Sequence, residues 1–210
     1  MNGPSEIESD HSSVRRWLLR YGALALPFIL SLKLARAVER VGSVEDLVGE
    51  AFAESGSSRR TLDQAAPVFL SEEVVTGVAS RLEIRLGRNT TVRLGDQSRL
   101  KIDRYLVDAG GEMTLSSGPL LFDGQPHRAG VKVLSPFALI AVRGTRFFAG
   151  PSNDRFGVFV VRGSVTVAAA GEQVALREGE GTDIVSPGTP PTPVKRWGSE
   201  RIRAALASVS

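Results

Sequence analysis

The sequence predicts an all-β fold, a sandwich or roll of many short strands, with a signal helix at the N-terminus and a short helix at the C-terminus. Three observations carry this. Arg81-Leu82-Glu83-Ile84-Arg85-Leu86, Thr91-Val92-Arg93-Leu94 and Arg99-Leu100-Lys101-Ile102-Asp103 alternate strictly between apolar and charged or polar residues. That period belongs to strands with one buried and one wet face. Two further runs, Phe137–Val142 with Phe147–Phe148, and Phe156–Val161 with Val165–Val167, are apolar at both alternating positions, which predicts strands covered on both faces. Turn residues such as Gly87–Asn89, Gly95–Ser98, Asp123-Gly124 and Gly130 punctuate the chain, with no long helical pattern between them. A β-helix-like or jelly-roll-like arrangement satisfies the same pattern.

In chain order, residues 1–14 are polar and lack core-forming content. Arg15-Arg16-Trp17-Leu18-Leu19-Arg20 then precedes an apolar run, Tyr21–Leu32, closed by Lys33-Leu34-Ala35-Arg36-Ala37. A positive flank, a short apolar stretch and a small-x-small ending describe a signal peptide over 1–37, with Ala35 and Ala37 at the cleavage site. A bilayer-spanning helix needs about 20 apolar residues, more than this run offers. Arg15 and Arg16 also fit a twin-arginine signal, and general secretion fits equally well. Val41–Phe52 has apolar residues at helical spacing, opposed by Gly42 and Gly49 inside the stretch. Ser55–Arg60 reads as a polar turn, followed by short extended pieces at Pro67–Leu70 and Val74–Gly77. Further strands are expected at Tyr105–Val107, Met113–Ser116, Leu120–Phe122 and Val131–Leu134. A β-domain thus fills 38–186, a Pro/Thr-rich linker 187–198, and a helix 199–210. Ser199 is the expected cap of that helix, with Ile202, Ala205, Leu206 and Val209 as its apolar stripe.

One motif is specific. The first of the two apolar runs is interrupted by Arg143-Gly144-Thr145 and resumes at Phe147; it is followed by Val161-Arg162-Gly163-Ser164-Val165-Thr166-Val167, then by Val174-Ala175-Leu176-Arg177-Glu178-Gly179-Glu180. This order resembles the FecR family of bacterial envelope domains, closely at Arg143, Gly144, Thr145, Phe147, Gly163 and Gly179, and loosely before Leu82. The resemblance implies an extended Val41–Phe52. It also implies a periplasmic domain that senses an outer-membrane transporter, attached in family members through one membrane helix to a segment controlling a sigma factor. Residues 1–14 are expected not to supply such a segment, so the regulatory role is not carried over.

Composition excludes several chemistries. There is no cysteine, which removes disulfides, a lipid-anchored thiol and thiolate catalysis. The two histidines, His11 and His127, cannot supply a convergent metal site. No nucleophile motif or phosphate-cradling loop appears. Glu178 and Glu180 flank a glycine and read as a wet turn. Residues 38–210 hold 21 basic and 20 acidic side chains, a balance unlike that of nucleic-acid binders. No cofactor, no enzymatic activity and no nucleic-acid partner are expected, and membrane contact only through the signal segment.

Recognition then has three candidate carriers. Arg143 is expected as a buried guanidinium satisfying turn carbonyls at the strand crossing, the alternative being a ligand-facing cation. Arg81, Arg85, Arg93, Arg99 and Lys101 would form one charged face if their strands are neighbours, suited to an anionic envelope polymer. Trp197 and Leu206 belong to a tail that either docks on its own domain or is presented to an envelope protein. The resulting expectation is a periplasmic, non-catalytic interaction or sensing module, membrane-anchored if the signal stays uncleaved. The alternatives are a carbohydrate-binding or carbohydrate-active β-protein and a truncated sigma-factor regulator.

Overall fold

The computed structural model of the protein describes residues 39–106, 110–125 and 130–210. The expected signal segment, with Arg15, Arg16, Ala35 and Ala37, lies outside the described residues, as do His11 and His127. In chain order the strands are β1 (Arg40–Val48), β2 (Ala51–Ser55), β3 (Ser58–Thr61), β4 (Pro67–Phe69), β5 (Glu73–Thr76) and β6 (Arg81–Leu86). They continue as β7 (Thr90–Leu94), β8 (Arg99–Leu106), β9 (Gly110–Ser117), β10 (Leu120–Gly124), β11 (Val131–Leu134) and β12 (Leu139–Val142). The last are β13 (Arg146–Ser152), β14 (Arg155–Arg162), β15 (Ser164–Ala169), β16 (Glu172–Arg177), β17 (Glu180–Ile184) and β18 (Lys195–Arg196), before helix α1 (Ser199–Ala207).

Among the described residues these strands form two nine-stranded sheets. The first runs β18-β17-β14-β13-β10-β7-β6-β1-β4 and the second β16-β15-β12-β11-β9-β8-β5-β2-β3. The alternation in sequence explains why they face each other. Leu82, Ile84 and Leu86 of β6 and Val92 and Leu94 of β7 share one buried cluster with Leu100 and Ile102 of β8 and Met113 and Leu115 of β9. Each such side chain, withdrawn from water, contributes on the order of 1.5–3 kcal/mol.

Several links cross between sheets. β9 and β11 pair in parallel with β10 between them in the other sheet, one coil of a β-helix within an otherwise antiparallel sandwich. Residues 139–169 make one long hairpin folded over both sheets: β13 pairs with β14 in the first, and β12 with β15 in the second.

Val41–Phe52 is extended, as β1 and the start of β2, broken at Gly49, whose φ of +83° suits glycine. Ser55–Arg60 is more than a turn. Its second half is the edge strand β3, whose exposed Arg59 and half-buried Arg60 hide the apolar alternation by which strands are recognised. The doubly apolar runs are covered on both faces only in the first sheet. There Phe147, Val158 and Val160 point into the sandwich, and Phe148 and Phe159 point outward under α1. β12 has one wet face, with Leu139 and Ala141 exposed.

Candidate functional site

The Arg-Gly-Thr motif is the corner at which the chain passes from β12 in one sheet to β13 in the other. Gly144 takes φ +64° to make the corner, and Gly163 takes φ +87° at the matching corner between β14 and β15. The two corners touch. Thr145, fully buried, donates from Oγ1 to the Ser164 carbonyl at 2.8 Å and accepts from the Ser164 amide at 3.3 Å. A Cβ on Gly163 would lie 2.8 Å from the Gly144 carbonyl oxygen, so the contact admits only glycine. Phe147 is fully buried just beyond, with its ring centroid 5.6 Å from that of Phe122.

The Arg143 side chain does not take part; only its carbonyl does, accepting from Thr145 Oγ1 at 3.2 Å. The expected buried guanidinium is exposed, because it continues the wet positions of β12, and its side chain makes no hydrogen bond or ion pair among the described residues. The polar demands of the corner are met by Thr145 instead. Arg143 stands beside a face of the second sheet where the register aligns Lys132, Ala141, Thr166 and Ala175 across four strands.

The tail docks on its own domain. Trp197 is 6% exposed, its ring stacked 5.1 Å from Phe159 and edge-on to Phe148 at 6.4 Å. Gly157 and Gly181 make room for it; a Cβ on Gly157 would sit 2.7 Å from the indole, and one on Gly181 would overlap Nε1. Ala205 and Val209 are buried against Leu121, Phe148 and Phe159, while Ile202 and Leu206 pack at the margin. Trp197 therefore closes an intramolecular core, and Leu206 packs half-buried at its margin. Ser199 is the first helical residue, and Gly198 occupies the cap position without a side-chain bond. The linker is tethered too: Thr182 donates to the Thr192 carbonyl at 2.6 Å, and Asp183 donates its amide to Thr192 Oγ1 at 3.0 Å. Gly179, at φ +80°, donates its amide to Val160 O at 2.9 Å and accepts from Trp197 N at 3.3 Å, fixing β17 and β18.

A buried ion pair that the sequence did not announce holds this tail. Arg201 forks onto Asp183, with Nη1–Oδ2 3.2 Å and Nη2–Oδ1 2.5 Å, and donates from Nε to Ser152 Oγ at 2.9 Å. Burial pushes the Asp183 carboxyl up, but the Arg201 fork, with Lys195 at 3.3 Å, outweighs it and holds the group below its ordinary value. The signal for Arg201 was its spacing four residues after Trp197. Asp183 carried none.

The charged row does not form a single face. Arg81, Arg85 and Arg93 lie on β6 and β7 of the first sheet, Arg99 and Lys101 on β8 of the second. Four of the five are paired: Arg85 with Glu45 at 2.8 Å, Arg93 with Glu83 at 2.7 Å, Arg99 with Glu54 and Glu73 at 2.6 Å each, and Lys101 with Asp103 at 2.7 Å. The Arg85 fork holds Glu45 below the usual carboxylate range. Opposite sheets and local neutralisation remove the patch on which polymer binding depended.

A groove of about 480 Å³ lies at the β13–β14 turn against Phe137, Pro151, Phe156 and Val185. Phe137 and Phe156 stack on each other at 4.7 Å, and among the described residues the exposed large apolar side chains, Val48, Val78, Leu139, Val185 and Val194, include no aromatic. Among the described residues no cluster of three or more His, Cys, Asp or Glu could hold a metal. No helix there is long and apolar enough to cross a membrane.

The described residues thus form a two-sheet β-domain in which the Arg-Gly-Thr motif is an inter-sheet corner. Residues 72–166, less than half of the chain, match the family described as FecR protein. Two solved chains from Parabacteroides distasonis ATCC 8503, each described as a "putative anti-sigma factor", share the fold at TM-scores of 0.54 and 0.55 with 17% and 16% identity. The similarity covers 64% of this chain in both cases, and 64% and 63% of theirs. No curated protein matches the chain. The match ends at Thr166, so the Asp183–Arg201–Trp197 lock lies beyond it.

Proposed function

We propose that the protein is an exported interaction or sensing module of the bacterial cell envelope that binds a protein partner and performs no chemistry of its own. The observation that carries this is Arg143. In a motif whose glycine and threonine are committed to the corner, the arginine stands exposed and without an ion pair among the described residues, beside a row formed by Lys132, Ala141, Thr166 and Ala175. A guanidinium with five free donors on such a face is suited to protein contact. The test is capture of a partner from envelope extract by wild type and by Arg143→Ala. The reading expects unchanged melting and lost capture in the variant; equal capture by both would overturn it. Export is tested by N-terminal sequencing, which should return Val38 from a periplasmic fraction.

A second reading, regulation of a sigma factor, takes its support from the description of the Parabacteroides chains and rests on shared fold. Co-purification of a sigma factor with the full chain would favour it.

A further inference from the structure

Of the four sheet edges among the described residues, three are blunted in recognised ways. β18 has two residues, both basic. β4 has three and starts with Pro67. β3 has four, two of them arginine. The fourth, β16, is different: six residues, no proline, no register shift against β15, and four uncharged residues in a row, Gln173-Val174-Ala175-Leu176.

Its hydrogen-bonding side can be assigned. Ala170 and Gly171, at φ +49° and +81°, are the two-residue loop between β15 and β16, flanked by the Ala169–Glu172 pair. In such hairpins the flanking pair is hydrogen-bonded and bonding alternates from there. Glu172, Val174 and Leu176 therefore bond to β15, and Gln173, Ala175 and Arg177 turn their backbone groups to the open edge. An independent contact agrees: the Arg177 amide bonds to Glu180 Oε2 at 2.8 Å and not to β15. The edge is thus capped at one end and open at Gln173 and Ala175. On the core side, Leu176 is fully buried but its neighbour Val174 is only half-buried, as if one more strand were missing from the layer.

We propose that the β16 edge receives an extended segment of a protein partner as a tenth strand, by β-strand addition. This rests on the reading of the protein as a partner-binding module and names the contact. The core-side row Glu172, Val174, Leu176 asks for a basic residue followed by two apolar ones at alternate positions of the incoming strand. A second copy of this chain fits poorly. A two-fold axis through the middle of β16 would set Glu172 against Leu176 or against Glu178 of the other copy, never against a cation.

The probe is the acetylated, amidated heptapeptide Lys-Thr-Val-Thr-Val-Thr-Lys, titrated by calorimetry against the full chain. Saturable binding is expected below about 1 mM. Ala175→Pro removes an edge donor while leaving the β15 ladder, and should weaken binding at least about tenfold with melting little changed. N-methylating the peptide's threonines or its valines, whichever strand direction places toward β16, should abolish binding, and this arm decides the matter if Ala175→Pro fails to fold. No binding at 1 mM, or equal binding by the variant and by both methylated peptides, overturns the proposal. An envelope partner captured equally by wild type and Ala175→Pro, but lost with Arg143→Ala, would overturn this contact and leave the module reading standing.

Discussion

The guanidinium carbon of Arg201 lies over the indole of Trp197, 3.6 Å from the ring centroid, while its nitrogens fork onto Asp183. One side chain thereby joins the tail helix to β17 through a charge pair and to the outer aromatic cluster through its face. With side-chain exposures of 13% for Arg201 and 3% for Asp183, both charges are largely withdrawn from water.

Arg201→Ala should therefore cost roughly 3 kcal/mol, since it leaves a buried carboxylate with only the exposed Lys195 beside it. Chemical denaturation would measure this, with Lys195→Ala, 57% exposed, as the near-neutral control. A loss below about 1 kcal/mol for Arg201→Ala would show the fork to be dispensable.

The same pair gives stability a sign with pH. Asp183 is held below its ordinary value of 3.8 in the folded state, so it contributes stability at neutral pH that fades as pH falls through 3.8 toward the lower folded value. Denaturation midpoints taken from pH 6 to pH 2.5 should fall more steeply for wild type than for Asp183→Asn. Parallel curves would contradict the assignment.

At the corner, the motif residues should separate cleanly. Thr145→Val keeps the shape but leaves the Ser164 amide and carbonyl without their partner, at about 1–3 kcal/mol. Gly163→Ala must strain a positive φ and push on the Gly144 carbonyl, which should cost more than 1 kcal/mol. Arg143→Ala, exposed and unpaired among the described residues, should stay within about 0.5 kcal/mol. A strongly destabilised Arg143→Ala would restore the buried reading.

Gly181→Ala places a methyl group against the Trp197 indole and should dislodge the tail. In a Trp17→Phe background Trp197 is the remaining tryptophan, and its emission should shift to the red as it meets water. Unshifted emission would mean that the ring has another seat.

Much of this was legible in sequence because alternation is a local signal. β6 and β11 match their expected residues to the end, since each turns one apolar row inward and is bounded by turn residues. The corner glycines were legible for the same reason. Arg143 was misread because an arginine between apolar residues suggests burial, while the chain in fact leaves the sheet there and the side chain sits on the wet row. The charged row failed differently. β7 and β8 are adjacent in sequence, but Gly95–Ser98 carries the chain between sheets, and nothing local distinguishes that turn from a hairpin. The Asp183–Arg201 pair joins residues eighteen apart, across a linker whose path depends on Thr192.

The folded-over hairpin of residues 139–169 has a kinetic consequence. It supplies part of both layers and the joint between them without help from any residue outside itself, so its loop-closure cost is that of one short turn at Asn153-Asp154 followed by zipping. Most other inter-strand pairings of the sandwich, such as β1 with β6 or β10 with β7, must wait for longer excursions of chain. Locality therefore favours early registration of the two layers at Thr145 and Ser164, alongside the equally local hairpins β6–β7 and β15–β16.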